Sequence, residues 1–131
     1  MIFVDTGAWF AALVPDDADH RAAAEFTRAN KEPLVTTDFV LDELLTLLKT
    51  RGHLARAESF IKRVLEGKAA RLERIGEDDF NRAWLVFRRQ REEPWSFTDC
   101  ASLVLMQRLG IKTAFAFDNH FRQFGTVTVV P

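Results

Sequence analysis

The chain has a single cysteine, Cys100, in 131 residues. No intrachain disulfide can form, which fits a reducing compartment such as the cytosol. Long hydrophobic runs are also missing. No stretch approaches the roughly 18 uninterrupted apolar residues that a membrane-spanning helix needs, so a transmembrane helix is not expected. The first residues, Met1 to Asp5, place no basic segment ahead of an apolar one and read as a buried strand, not a signal peptide. Net charge is nearly absent, at −1 from 18 Lys and Arg against 19 Asp and Glu. That excludes a strongly basic nucleic-acid coat protein but leaves room for a local basic face. There is no G-x-S-x-G elbow, P-loop or G-x-G-x-x-G turn. His20, His53 and His120 lack the mutual spacing of zinc ligands.

What is present is material for a core. Hydrophobic residues make up 47 % of the chain, with 12 Phe and 3 Trp, and the 28 % of charged residues are well mixed. This composition argues against disorder and fits one domain over residues 1–131. Short apolar runs at Ile2–Val4, Leu34–Thr36, Ala70–Ile75, Thr113–Phe117 and Thr126–Val130 read as strands. Between them lie helical segments: Ala8–Val14, one through Ala22 to Ala29, Phe39–Arg51, Leu54–Glu66, Glu77–Arg91 and Ser96–Leu109. Their ends carry Thr37 or Asp38 as a cap, Gly52, Gly67 and Gly110 as stops, and Pro15, Pro33 and Pro94 as breaks. Strands apolar on both faces and separated by helices predict an α/β fold, a parallel sheet covered by helices on both sides.

Four of these segments each deliver one carboxylate: Asp5 in FVDTGAWFA, Glu43 in VLDELLTLL, Asp99 in SFTDCASLV and Asp118 in AFAFDNHF. Each of the three aspartates has a plain structural reading. Asp5 and Asp118 follow strands and suit helix or turn caps, and Asp99 stands three residues after Ser96, the spacing of a capping box. Glu43 differs. It shares an apolar stripe with Val40, Leu44, Leu47 and Leu48, while Asp38, Asp42, Thr46 and Lys49 form the expected solvent stripe. Glu43 is therefore expected to point into a buried or cleft-like place, with a boundary Glu–Arg pair as the plain alternative. Taken together, the four acids fall on the side of the sheet where open parallel sheets bind ligands. No matching set of buried Lys or Arg accompanies them, and convergent carboxylates without cations suit a hard divalent metal.

These four motifs, in this order and spacing, resemble the PIN domain, in particular the toxin ribonucleases of VapBC toxin–antitoxin pairs. The resemblance covers essentially the whole chain. It implies a five-stranded parallel sheet flanked by helices, with an acidic pocket holding Mg2+ or Mn2+. Asp5, Glu43, Asp99 and Asp118 match the four acids, Thr6 matches the hydroxyl that often follows the first, and Asn119 stands where some members carry a further acid. The implied function is metal-dependent cleavage of RNA, with tRNA or ribosomal RNA as substrate. The implied partners are a small antitoxin and a second copy of the chain, in the cytoplasm. The alternative is a non-catalytic PIN-like module that binds RNA or protein, against which the retention of all four acids argues.

Arg82, Arg88, Arg89 and Arg91, with Lys49 and Arg51, are candidates for RNA phosphates, although a solvated helix face is the simpler reading. Trp9, Phe10, Trp84 and Trp95 suit a core or a partner surface better than base stacking, and Cys100 suits inert core. A receiver-type signalling domain fits poorly because Lys112 precedes the fourth strand instead of following it. A haloacid-dehalogenase-like phosphatase would need an acid two residues after Asp5, where Gly7 stands.

Overall fold

A computed structural model describes residues 1–131. The apolar runs form five short strands: β1 (Ile2–Val4), β2 (Leu34–Thr37), β3 (Arg71–Glu73), β4 (Thr113–Phe115) and β5 (Thr128–Val130). The helices are α1 (Thr6–Leu13), α2 (His20–Ala29), α3 (Asp38–Thr50), α4 (Leu54–Leu65), α5 (Glu77–Arg89), α6 (Phe97–Leu109) and α7 (His120–Gln123). The sheet order is β3-β2-β1-β4-β5; every pairing is parallel, and that parallel pairing is what the sequence predicts. From β1 the chain winds outward through β2 and β3, then returns to build β4 and β5 on the other side. The winding therefore reverses between β1 and β4, and a crevice opens at their carboxyl ends.

Several boundaries differ from the sequence reading, each because a hydrogen bond goes elsewhere. β3 stops at Glu73 because the Ile75 N–H donates to Asp38 Oδ1 (2.9 Å) instead of continuing the ladder. β4 stops at Phe115, and only the Ala116 N–H still reaches Val130 across the sheet (3.1 Å). β5 starts at Thr128, whose N–H meets the Lys112 carbonyl just ahead of β4 (2.8 Å). α1 starts at Thr6, two residues earlier than expected, with the Asp5 carbonyl accepting from the Trp9 N–H (3.1 Å). Asp38 is half-buried and tied to Ile75, so it leaves the solvent stripe assigned to it.

The core joins both faces of the sheet to the inner sides of the helices. Phe3, Val4, Val35, Leu44, Leu48 and Phe115 are buried to within 1 %. Trp9 and Phe10 belong to this core, and the Trp9 indole N–H donates to the Thr36 hydroxyl (3.3 Å), so its polar edge is not stranded. The helix ends follow their local chemistry. Thr37 caps α3 by accepting from the Val40 N–H (3.1 Å), and Gly110, at φ +67°, ends α6 in the left-handed region.

A smaller cluster holds α5 to α6. Ala83 is fully buried against Cys100, Ala101 and Val104, and its small side chain lets the helices approach closely. Asp79 accepts both Nε and Nη2 of Arg108 (2.9–3.1 Å) beside it. The inward stripe of α5 is thus Asp79, Ala83 and Val86. Phe80, Trp84 and Phe87, whose helical spacing reads as an apolar stripe, instead face outward and remain 48 %, 49 % and 41 % exposed.

Candidate active site

A cleft of about 610 Å3 opens at the reversal of the sheet, and Leu47 is the one hydrophobic residue in its lining. Its floor is Asp5, the residue immediately after β1, only 4 % exposed. Asp5 occupies the N-cap position of α1 without making a side-chain cap, so the plain capping role does not explain it. Asp118, reached after β4, stands beside it and is exposed. Asp99 comes from the first turn of α6 and is 6 % exposed. It does make the capping box foreseen from Ser96: the Asp99 N–H donates to Ser96 Oγ and Asp99 Oδ2 accepts the Ser96 N–H, both at 3.0 Å. That bond occupies one oxygen and leaves the other to the cleft.

Glu43 lines the cleft, one of the two places the sequence allowed it, together with Leu47 of the same stripe. It is not buried with Leu44 and Leu48 but exposed at the cleft wall. The Thr6 hydroxyl donates to Glu43 Oε1 (3.0 Å), which joins the start of α1 to the wall formed by α3. Asp42, read from sequence as a surface acid, is exposed but lines the same cleft, as does Thr46. Asn119 is exposed at the N-cap of α7, makes no side-chain cap and is not part of the lining. His120 is the residue that sequence reasoning missed: it lines the cleft, and its ring Nδ1 lies 2.7 Å from Asp99 Oδ2. The available signal was its place two residues after the acid that ends β4.

The cleft therefore gathers five carboxylates, and no Lys or Arg forms an ion pair with any of them. The electrostatic consequence is sharpest at Asp5. Burial holds its carboxyl well above the usual carboxylate range, the charges of Asp118 and then Asp99 push the same way, and the Thr6 backbone N–H offsets part of this. Glu43, exposed as a residue but with its carboxyl partly enclosed by the cleft walls, is also raised, first by that partial burial, against the Thr6 hydroxyl bond and with the charges of Asp99, Asp42 and Asp118 adding to it. These are acids whose ionised forms lack a countercharge. A divalent cation would supply it, and the donor set is all oxygen, which suits a hard ion. No three of the side chains close into a ready-made metal cage; a bound cation, offsetting their mutual repulsion, would draw them in. The donor chemistry fits the ion, with the final closure left to binding.

Cys100, fully buried behind Asp99 on α6, is not part of this chemistry. Burial, and secondarily the Asp99 charge, pushes its thiol up to about 11, so it stays protonated and inert.

A five-stranded parallel sheet in this order, with acids after β1, at the start of α6, after β4 and on α3, defines a PIN-type nuclease architecture. The chain belongs to the PIN domain family, whose model matches residues 2–127. It is 36 % identical to the 23S rRNA-specific endonuclease VapC20 of Mycobacterium tuberculosis, over 100 % of this chain and 99 % of that protein. It is 28 % identical to Ribonuclease VapC26 of the same organism, over 99 % of this chain and 100 % of the relative. The crystal structure of VapC20, described as a Sarcin-Ricin loop cleaving toxin, superimposes with a TM-score of 0.92 at 32 % identity and full coverage of both chains. A toxin–antitoxin complex from Klebsiella pneumoniae shares the fold, with a TM-score of 0.71 at 14 % identity over 100 % of this chain and 97 % of that one. PIN-domain ribonucleases of this VapC-like kind are divalent-metal-dependent hydrolases.

Proposed function

We propose that this chain is the toxin of a type II toxin–antitoxin pair, an endoribonuclease that hydrolyses phosphodiester bonds with Mg2+ or Mn2+. The observation that carries the reading is Asp5: a nearly buried carboxylate, flanked by Asp99 and Asp118, with no Lys or Arg paired to any of the three. The proposed ligands are Asp5, Asp99 and Asp118, with Glu43 binding the metal or orienting its water. Carboxylate-bound Mg2+ or Mn2+ supplies a nucleophilic water at neutral pH and neutralises charge on the phosphoryl oxygens. The residues do the placing. Asp5 fixes the floor of the cleft, Thr6 holds Glu43 on the opposite wall, and the Ser96 N–H keeps one Asp99 oxygen turned away so that the other faces inward.

Ribosomal RNA is the favoured substrate, because the VapC20 relative is named for cutting 23S rRNA and matches over the full length; tRNA is the other candidate. The family reading adds a small antitoxin as partner, a cytoplasmic location and a homodimer, with residues 1–131 forming one domain. The outward aromatic stripe of α5 supports the second copy. No helix is long and apolar enough to cross a membrane.

The test is cleavage of a total-RNA pool by purified protein with Mg2+ or Mn2+, beside an EDTA control and Asp99→Asn. Asparagine keeps an oxygen for the Ser96 N–H, so the α6 cap survives while the charge is lost. Discrete fragments that require both the metal and Asp99, with a rate at least about 100-fold lower in the variant, are expected. Cleavage that persists in EDTA and in the variant would overturn the assignment. Metal binding without cleavage of any RNA in the pool would favour the non-catalytic binding module.

A further inference from the structure

Two nitrogens of His120 reach two different acids of the cleft. The ring Nδ1 lies 2.7 Å from Asp99 Oδ2, and the backbone N–H donates to Asp118 Oδ1 at 3.0 Å. Because an ionised carboxylate has no hydrogen to give, Nδ1 is the donor in the first bond. Asp99 Oδ2 then receives both His120 and the Ser96 N–H, which leaves Oδ1 as the oxygen Asp99 can offer to a ligand. Asp118 likewise has Oδ1 engaged and Oδ2 left over.

The turn that carries His120 is itself fixed on both sides. Phe121 is fully buried and stacks on Phe3 of β1, with ring centroids 5.9 Å apart. Phe124 meets Trp95 edge-on at 4.8 Å, and the Trp95 indole N–H donates to Gln123 Oε1 at 3.0 Å. α7 is thus bolted to the strand that ends at Asp5 and to the loop that leads into Asp99. We infer that His120 is a positioning residue: it ties Asp99 to Asp118 so that each presents one fixed oxygen to a divalent cation. This rests on the metal-dependent reading above. A ligand set held by hydrogen bonds from the surrounding residues loses less freedom when the cation binds, so the tether should appear as metal affinity.

The experiment is a calorimetric titration of the metal-free chain with Mn2+ alone, on wild type, His120→Ala, His120→Asn and His120→Gln, with thermal melts alongside. Asparagine places an amide N–H where the ring Nδ1 stands; glutamine places it one bond too far. Loss of the tether in His120→Ala and His120→Gln is expected to weaken Mn2+ binding about tenfold, while His120→Asn stays within about threefold of wild type. The rescue by asparagine is a result that a purely structural role for the imidazole would not give. Should His120→Ala fail to fold, the asparagine and glutamine pair decides. Equal affinity in all variants, or asparagine as weak as glutamine, overturns the tether and leaves the nuclease reading intact. A wild-type chain that takes up no Mn2+ overturns both.

Discussion

At the scale of single residues, Asp5 has the most to say. Its carboxyl is raised above an unfolded value of about 3.9, first by burial and then by Asp118 and Asp99. A raised carboxyl stabilises the fold fully below its unfolded value, and that contribution is lost as pH rises through the folded value. In the metal-free protein Asp5 therefore favours the folded state at mildly acidic pH and opposes it at alkaline pH. Asp5→Asn removes the titration but keeps an oxygen for the Thr6 N–H. The melting temperature of metal-free Asp5→Asn, measured relative to wild type, is expected to climb as pH rises above the unfolded carboxylate value of about 3.9. Saturating Mn2+ should erase the gain, because the cation then supplies the missing countercharge to wild type alone. A difference that does not change with pH would show that Asp5 is stabilised by something other than protonation. The same variant should lose RNA cleavage, so activity and metal-free stability move in opposite directions, as expected where function stores repulsion.

At the scale of elements, the pair of α5 and α6 is held by something the sequence did not advertise. Asp79 is 3 % exposed and both its oxygens are taken by Arg108 from the last turn of α6. Arg108→Ala would leave a buried carboxylate without its partner. A fully buried pair broken this way costs about 3–5 kcal/mol; Arg108 keeps 40 % of its side chain in solvent, so about 2 kcal/mol is expected. Urea denaturation measures it, and a midpoint equal to that of wild type would show that water replaces the guanidinium at no cost. Asp79 and Arg108 are 29 residues apart, and periodicity carries no information about such partners. The strands and their parallel pairing were legible because double-sided burial leaves uninterrupted apolar runs such as Ile2–Val4. Strand ends were not, since β3 ends where Ile75 finds the side chain of Asp38. The same limit explains the site. The acids at strand ends could be placed from topology, and the apolar stripe of α3 pointed Glu43 to the cleft, but periodicity could not tell the buried part of that stripe, Leu44 and Leu48, from the part that opens to solvent. His120 went unseen because its value lies in a contact with Asp99, which is 21 residues away.

At the scale of the whole molecule, the outward face of α5 remains unpaired. Phe80, Trp84 and Phe87 recur at helical spacing, and Leu85 beside them is 38 % exposed. Phe80 and Phe87 are anchored edge-on against Phe97, at 5.0 and 5.8 Å, and Phe39 meets Phe80 at 6.4 Å, so the patch is a continuous aromatic surface raised on α3, α5 and α6. Isolated apolar residues on a surface need no explanation, but an anchored aromatic stripe is what the centre of a protein interface looks like. Around it Arg82, Arg88, Arg89 and Arg91 are exposed without a carboxylate partner, the polar rim such a centre requires. Trp84→Glu places a charge at the middle of the stripe while touching no cleft residue. Light scattering behind size exclusion is expected to find wild type as a dimer and Trp84→Glu as a monomer. Helical content and Mn2+ affinity should be unchanged, because half of the Trp84 surface is already exposed in the single chain. A monomeric wild type, or a variant that stays dimeric, would move the interface off α5. A variant that is monomeric and also slow on RNA, with its metal affinity intact, would show that the second cleft contributes to holding the substrate rather than to the chemistry.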